Sequence, residues 1–228
     1  MVPLETRAPE TKGPKAQDPR DAPQRADARR NRERVLAAAE AVFAESGVKA
    51  PVEEVARRAG VGVGTVCRNF PTKQALVEAV VGAMYGTLLH EAEEALADPD
   101  PARAFERFVV GLPEFQARHR ALADQMASVN MPAPAASPRD KLLRAVSALV
   151  ARAQAAGAIR ADIGPGDVSM LFSGVAHATA VAGERQPVLR ERFVRIILDG
   201  LRAEGATTLP GRPLDFAQVR RMRQQRVK

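Results

Sequence analysis

The sequence predicts an all-α protein with a helix-turn-helix near its N-terminus, on three observations. Alanine and leucine dominate the middle of the chain while runs of β-branched residues are scarce, the balance of helices packed on helices. No segment sustains the period-two alternation of a half-buried strand, so no sheet is expected. Between Ala28 and Lys73 short apolar-periodic segments are punctuated at Gly47, Gly60 and Pro71, the spacing of short helices joined by tight turns. Of 228 residues 46% are apolar, enough for a packed core, although only 4% are aromatic.

Each element follows from local pattern. Val35, Leu36, Ala39, Val42 and Phe43 fall on one face of a helix that Gly47 can close with a left-handed cap. A second helix begins near Pro51, a residue suited to a first turn, and turns Val52, Val55 and Ala56 inward. Gly60 makes the turn, a short helix follows over about 63–69, and Thr72 can cap the next. That fourth helix is long, 73–97, and ends before Asp98-Pro99. Further helices are predicted over 101–118, 120–129, 138–156, 167–182 and 187–203, with Ser137-Pro138 as an N-cap and first-turn pair. The chain thus divides into a disordered arm (1–27), a three-helix DNA-binding unit (28–73), a helical effector-binding and dimerisation domain (74–204) and a basic, disordered tail (205–228), in which 219–227 has the composition of a short basic helix.

Charge follows the same division. Residues 1–73 carry 14 Lys/Arg against 10 Asp/Glu, residues 74–211 carry 14 against 16, and residues 212–228 carry 6 against 1. The two basic ends invite a polyanion, while the middle does not.

The informative stretch is 52–70. Two short helices that cross steeply need a small residue where their backbones approach, which Ala56 supplies, and a glycine where the chain turns through positive φ, which Gly60 supplies. Val52, Val55, Val61 and Val66 pin both helices to the first one. In that geometry the second short helix enters the DNA major groove with Val63, Gly64, Thr65, Cys67 and Arg68 toward base edges. Arg68 is the side chain able to grip guanine bidentately, with a phosphate contact as the other reading. Thr65, Asn69 and Lys73 are candidate phosphate ligands, and Gly62 and Gly64 allow close backbone approach.

Residues 29–76 resemble the N-terminal domain of the TetR/AcrR family of bacterial repressors, most closely over Gly-Val-Gly-Thr-Val-Cys-Arg-Asn-Phe-Pro-Thr-Lys (62–73) and Gln-Ala-Leu (74–76). The resemblance implies an all-helical homodimer whose C-terminal half binds a small-molecule effector and dimerises through its last two helices. The chain departs from that family where Cys67 replaces the usual tyrosine and Asn69 the usual histidine. Cys67 is then either a small contact residue or, if its thiol is reactive, a redox-sensitive one.

In the C-terminal half, Val168, Phe172 and Val175 on one helix and Leu189, Phe193, Ile196 and Ile197 on the last are the candidate dimer interface, a four-helix bundle across a two-fold axis. Met84, Leu88, Phe108, Leu112, Phe115, Met126 and Met170, with Ser173 and His177 as polar contributors, are the candidate effector contacts. The segment 157–163 resembles a turn that precedes the eighth helix in actinobacterial members of the family.

Several classes are excluded by expectation. The single cysteine allows no intramolecular disulfide and no cysteine cluster for zinc. No Ser/His/Asp grouping or phosphate-cradling glycine loop stands out, and His90, His119 and His177 lack metal-ligand spacing, so neither enzyme activity nor a cofactor or metal is expected. No apolar run is long enough for a bilayer and the N-terminus lacks a secretory pattern, which predicts a cytoplasmic protein without membrane contact. The reading is therefore a ligand-responsive repressor of a near-palindromic operator. A ligand-independent architectural DNA binder and a small-molecule-binding protein with weakened DNA affinity stand as alternatives.

Overall fold

A computed structural model describes residues 21–119, 122 and 137–225. Its helices are α1 (Asp21–Ser46), α2 (Val52–Ala59), α3 (Val63–Asn69), α4 (Lys73–Ala97), α5 (Pro101–Arg118), α6 (Pro138–Ala155), α7 (Pro165–Thr179), α8 (Gln186–Leu201) and α9 (Phe216–Gln225), with a 3-10 turn at Gly183–Arg185. Among the described residues the β pairing is one isolated bridge, Ile159 to Arg202. No described helix is long and apolar enough to cross a membrane.

The predicted punctuation is where the helices stop. Gly47 (φ 73°) and Gly60 (φ 64°) sit in the left-handed region, and the Gly47 N–H donates to the Phe43 carbonyl at 3.0 Å. Thr72 caps α4 by accepting from the Ala75 N–H at 3.0 Å, and Ser137 caps α6 by accepting from Asp140 at 3.2 Å. The helix expected over 120–129 lies, apart from Leu122, outside the described residues. The expected arm 1–27 is helical from Asp21 onward.

Two apolar cores form. Val35, Val42, Phe43, Val55, Val66, Leu76 and Val80 close the first, between α1, α2, α3 and the start of α4. Phe105, Phe108, Val109, Leu149, Val168 and Phe172 build the second, between α4, α5, α6, α7 and α8. α4 belongs to both: Leu76 through Met84 face the first core, and Leu88, Ala92 and Ala95 the second. At its far end Arg152 of α6 donates to the Leu96 and Asp98 carbonyls at 2.6 and 2.9 Å, filling acceptors a helix C-terminus leaves open.

The C-terminal tail corrects the sequence reading. Residues 205–225 are not a loose basic tail: 202–215 form a strap over the loop before α7, and α9 packs on α7 with Val219 buried. The Asp167 carboxylate accepts from Gly164 N–H (2.8 Å), capping α7, and from Leu214 N–H (2.9 Å) in the strap. Asp162 accepts from Leu209 N–H at 3.1 Å, and buried Arg160 bonds both Asp162 and the Thr207 carbonyl. These bonds hold the Asp162 carboxyl well below the usual carboxylate range, chiefly through Arg160. Gly166 N–H donates to the Leu214 carbonyl at 2.8 Å. Composition could not show this, because the partners come from another part of the chain.

A methyl group on Gly166 would stand 2.6 Å from the Leu214 oxygen. Gly166→Ala is therefore expected to destabilise the fold by about 1–3 kcal/mol, as overpacking does. The strap should lift, read as faster tryptic cleavage at Arg212, while DNA binding through α3 is unchanged.

Candidate nucleic-acid interface

α3 is a seven-residue helix held against α1 and α2 by Val66, which is buried together with Val55, Ala56 and Ala59 of α2. That anchoring fixes which side faces out. Val63, Gly64, Cys67 and Arg68 are exposed, while Thr65 and Asn69 are half-buried at its edge. Val52 and Val61 are half-buried against the same core, so the four valines all contribute, two of them fully.

Arg68 has no ion-pair or hydrogen-bond partner among the described residues; its guanidinium lies back over Gly64. The arginines of α2 differ. Arg57 pairs with Glu54 at 2.6 Å and Arg58 with Glu45 at 2.5 Å, and these hydrogen bonds hold both carboxyls below their ordinary range. Such exposed pairs stabilise little, but they leave Arg68 as the cation free to engage another molecule from the face of α3. The predicted phosphate ligands are partly engaged. Asn69 donates to the Thr65 carbonyl at 2.9 Å and Lys73 to the Lys49 carbonyl at 2.8 Å, each keeping further N–H groups in hand. Cys67 is a free, exposed thiol.

Two residues missed in the sequence grip α3 from outside. Arg34 of α1 donates from Nη2 to the Ala59 carbonyl at 2.6 Å and the Gly60 carbonyl at 3.3 Å, a cation at the C-terminus of α2 directly on the turn into α3. Arg32 lays its guanidinium 4.5 Å over the ring of Phe70, the buried residue that follows α3. Two positions apart on a helix, they diverge by about 200° and so reach opposite ends of α3. The sequence signal is only a pair of arginines on a charged helix, which reads equally well as solvated surface.

Residues 35–80 match the family model for bacterial regulatory proteins of the tetR family, and residues 100–203 match that for the C-terminal domain of SbtR-like transcriptional regulators. The chain belongs to the TetR family. A TetR transcriptional regulator from Streptomyces coelicolor is 35% identical, with a TM-score of 0.61 over 76% of this chain and 99% of that one. The TetR regulatory protein of Mycobacterium vanbaalenii is 38% identical, with a TM-score of 0.61 over 79% and 99%. A γ-butyrolactone receptor described as ArpA-like shares the fold at 16% identity, with a TM-score of 0.57 over 88% and 99%. No curated protein sequence matches the chain. As a TetR-family protein it is a DNA-binding transcriptional regulator, of a family that is generally non-enzymatic.

Within this TetR fold the C-terminal candidates separate. Leu88, Phe108 and Leu112 are buried in the second core, and Met84 in the first, while Phe115 packs against both. Met170 (43% exposed) and His177 lie on the outer face of α7, not toward the core, and Ser173 is half-buried. Met126 lies outside the described residues. The expected interface divides too. Val168 and Phe172 are fully buried in the chain's own core, because the inward stripe of α7 serves its own fold. The outward stripe is the neighbouring one: Leu171, Gly174 and Ala178 of α7 with Phe193, Ile196 and Ile197 of α8 line an open apolar groove floored by Val175. Leu189 is half-buried on α8.

If Arg34 positions α3 and touches no phosphate, Arg34→Met lowers affinity for specific DNA about tenfold and leaves the salt dependence unchanged. A phosphate ligand would instead reduce the slope of log K against log salt by about 0.9. Salt titration of binding to the DNA flanking its own gene separates the two.

Proposed function

We propose that this chain is a homodimeric, ligand-responsive repressor that binds a near-palindromic operator and leaves it when a small molecule occupies the C-terminal core. The observation that carries the reading is the continuity of α4, whose N-terminal half closes the core beneath α3 and whose C-terminal half closes the second core. A change in the packing of the second core has a rigid path to the reading helix. A differential affinity of about 1–3 kcal/mol is sufficient for such a switch.

The dimer surface is the outward stripe of α7 and α8. Met170, Leu171, Val188 and Ile196 are large apolar residues exposed on the single chain, and the groove between the helices is lined almost wholly by apolar side chains. A two-fold partner presenting the same stripe completes a four-helix bundle and buries both. Two α3 helices then enter successive major grooves, about 34–36 Å apart. There Val63, Gly64, Thr65, Cys67 and Arg68 meet base edges, and Asn69, Lys73 and the Thr65 hydroxyl meet phosphates. The γ-butyrolactone receptor on the same fold makes a small apolar metabolite a reasonable effector class to test first.

Arg68→Ala should relax specificity at one base pair per half-site, losing about 1–3 kcal/mol of discrimination there, if Arg68 reads guanine. Uniform weakening across sequences places it on phosphate instead. Ile196→Glu should convert the dimer to a monomer in equilibrium sedimentation and abolish binding to the paired half-sites. Titrating small apolar metabolites, γ-butyrolactones among them, against the operator complex tests the switch. No shift across such a panel removes the effector step and leaves a DNA-binding regulator.

A further inference from the structure

We propose that Gln116 and His119, at the C-terminal end of α5, form the polar anchor of the effector site and that the group they take is a neutral hydrogen-bond donor on an otherwise apolar molecule. The inference rests on the effector-core reading above and assigns its chemistry.

The anchor sits where the two cores meet. Phe115 packs against both of them, and His119 closes α5 one turn later, its N–H donating to the Phe115 carbonyl at 3.1 Å. The imidazole is 5% exposed and lies 4.5 Å from the Phe115 ring. Its Nε2 faces Glu40 of α1 at 3.7 Å, across the boundary into the DNA-binding unit. Its Nδ1 is buried with no hydrogen-bond partner among the described residues, and so is Oε1 of Gln116. Three positions apart on a helix, the two side chains are neighbours.

Buried polar atoms are almost always paired, and each one left unpaired costs about 1–3 kcal/mol. Two on adjacent turns of one helix, beside an aromatic ring and within the effector domain, call for a partner that is not part of the chain. Ser173 and His177, the polar contributors expected from the sequence, do not offer this: His177 is exposed.

The charge state decides what that partner is. Burial pushes the His119 imidazole toward its neutral form; Glu40 opposes this and Arg118 adds to it, with Arg118 itself paired to Glu114 at 3.0 Å. A neutral imidazole carries one proton. Placing it on Nε2 points an N–H at the Glu40 carboxylate, whereas the other tautomer would set a lone pair against that negative charge. Nδ1 is therefore a bare acceptor, and the Gln116 amide oxygen is a second one. Two acceptors side by side select a hydroxyl or an amide N–H. A carboxylate or phosphate would meet lone pairs on both sides and is rejected, and an ether has nothing to donate. A donor bound at Nδ1 also polarises the imidazole and strengthens its Nε2–H toward Glu40. The same ring thus faces the bound molecule on one side and the first helix of the DNA-binding unit on the other.

Four probes of one chain length test this: 1-octanol, octanamide, methyl octyl ether and octanoate, titrated against the full chain labelled with ¹⁵N-histidine. We expect the alcohol and the amide to bind at least tenfold more tightly than the ether and octanoate and to shift the His119 Nδ1 resonance. In Gln116→Leu and in His119→Phe that preference should fall below about threefold while ether binding persists. Gln116→Leu and the wild-type resonance suffice should His119→Phe fail to fold. Equal binding of all four probes, tightest binding of octanoate, or an unmoved Nδ1 resonance overturns the anchor and leaves the effector core standing. Binding of none of them counts against the effector core as well as the anchor.

Discussion

Everything in this molecule depends on α4 being one unbroken helix shared by two cores. Its 25 residues extend roughly 37 Å, further than either core alone requires. Leu76, Val77 and Val80 are as much part of the helix-turn-helix as Val55 and Val66 are, and Leu88, Ala92 and Ala95 are part of the effector domain. No separate linker joins the two, so neither core can repack without the other registering it through a rigid rod. The Thr72 cap at one end and the Arg152 clamp at the other define where that rod begins and stops.

The small helices at the reading end are positioned by a second device, the grip of α1 on the flanks of α3. α3 is only seven residues long and would not hold as an isolated helix. Val66 anchors it from beneath, Arg34 ties down the turn before it, and Arg32 covers Phe70 after it. The exposed surface that remains is small: a valine, a glycine, a thiol and one arginine. Such a surface can approach bases closely with its backbone, and its hydrogen-bonding vocabulary is concentrated in Arg68.

How much of this was legible in the sequence follows from the range of each interaction. Gly47, Gly60, Thr72 and Ser137 act on residues three or four away, so their roles and the helix ends could be read directly. The inward stripes of α1, α2 and α4 were legible for the same reason, since periodicity is local. What periodicity could not decide was which of two apolar stripes on α7 turns inward. Val168 and Phe172 versus Leu171 and Ala178 differ by one position in register, and only the packing of α5 and α8 chooses between them. The contacts of Arg34 with Ala59 and of His119 with Glu40 join residues far apart in the chain and leave no local trace.

The tail shows the same limit and changes what its charge means. Read as composition, an excess of five positive charges over 212–228 looks like a second handle on DNA. The fold places it elsewhere. Gln154 at the end of α6 donates to the Arg160 and Ile163 carbonyls, which ties the loop before α7 to the end of α6 that also carries Arg152. Arg152 grips the C-terminus of α4, the end remote from α3. The strap lies on that same loop through Asp162, Gly166 and Asp167, and α9 continues from it onto α7. The basic tail therefore caps the pole opposite the reading helices. Its arginines cannot share the groove that α3 enters, and the DNA-facing charge of this protein is the charge of its N-terminal helices alone.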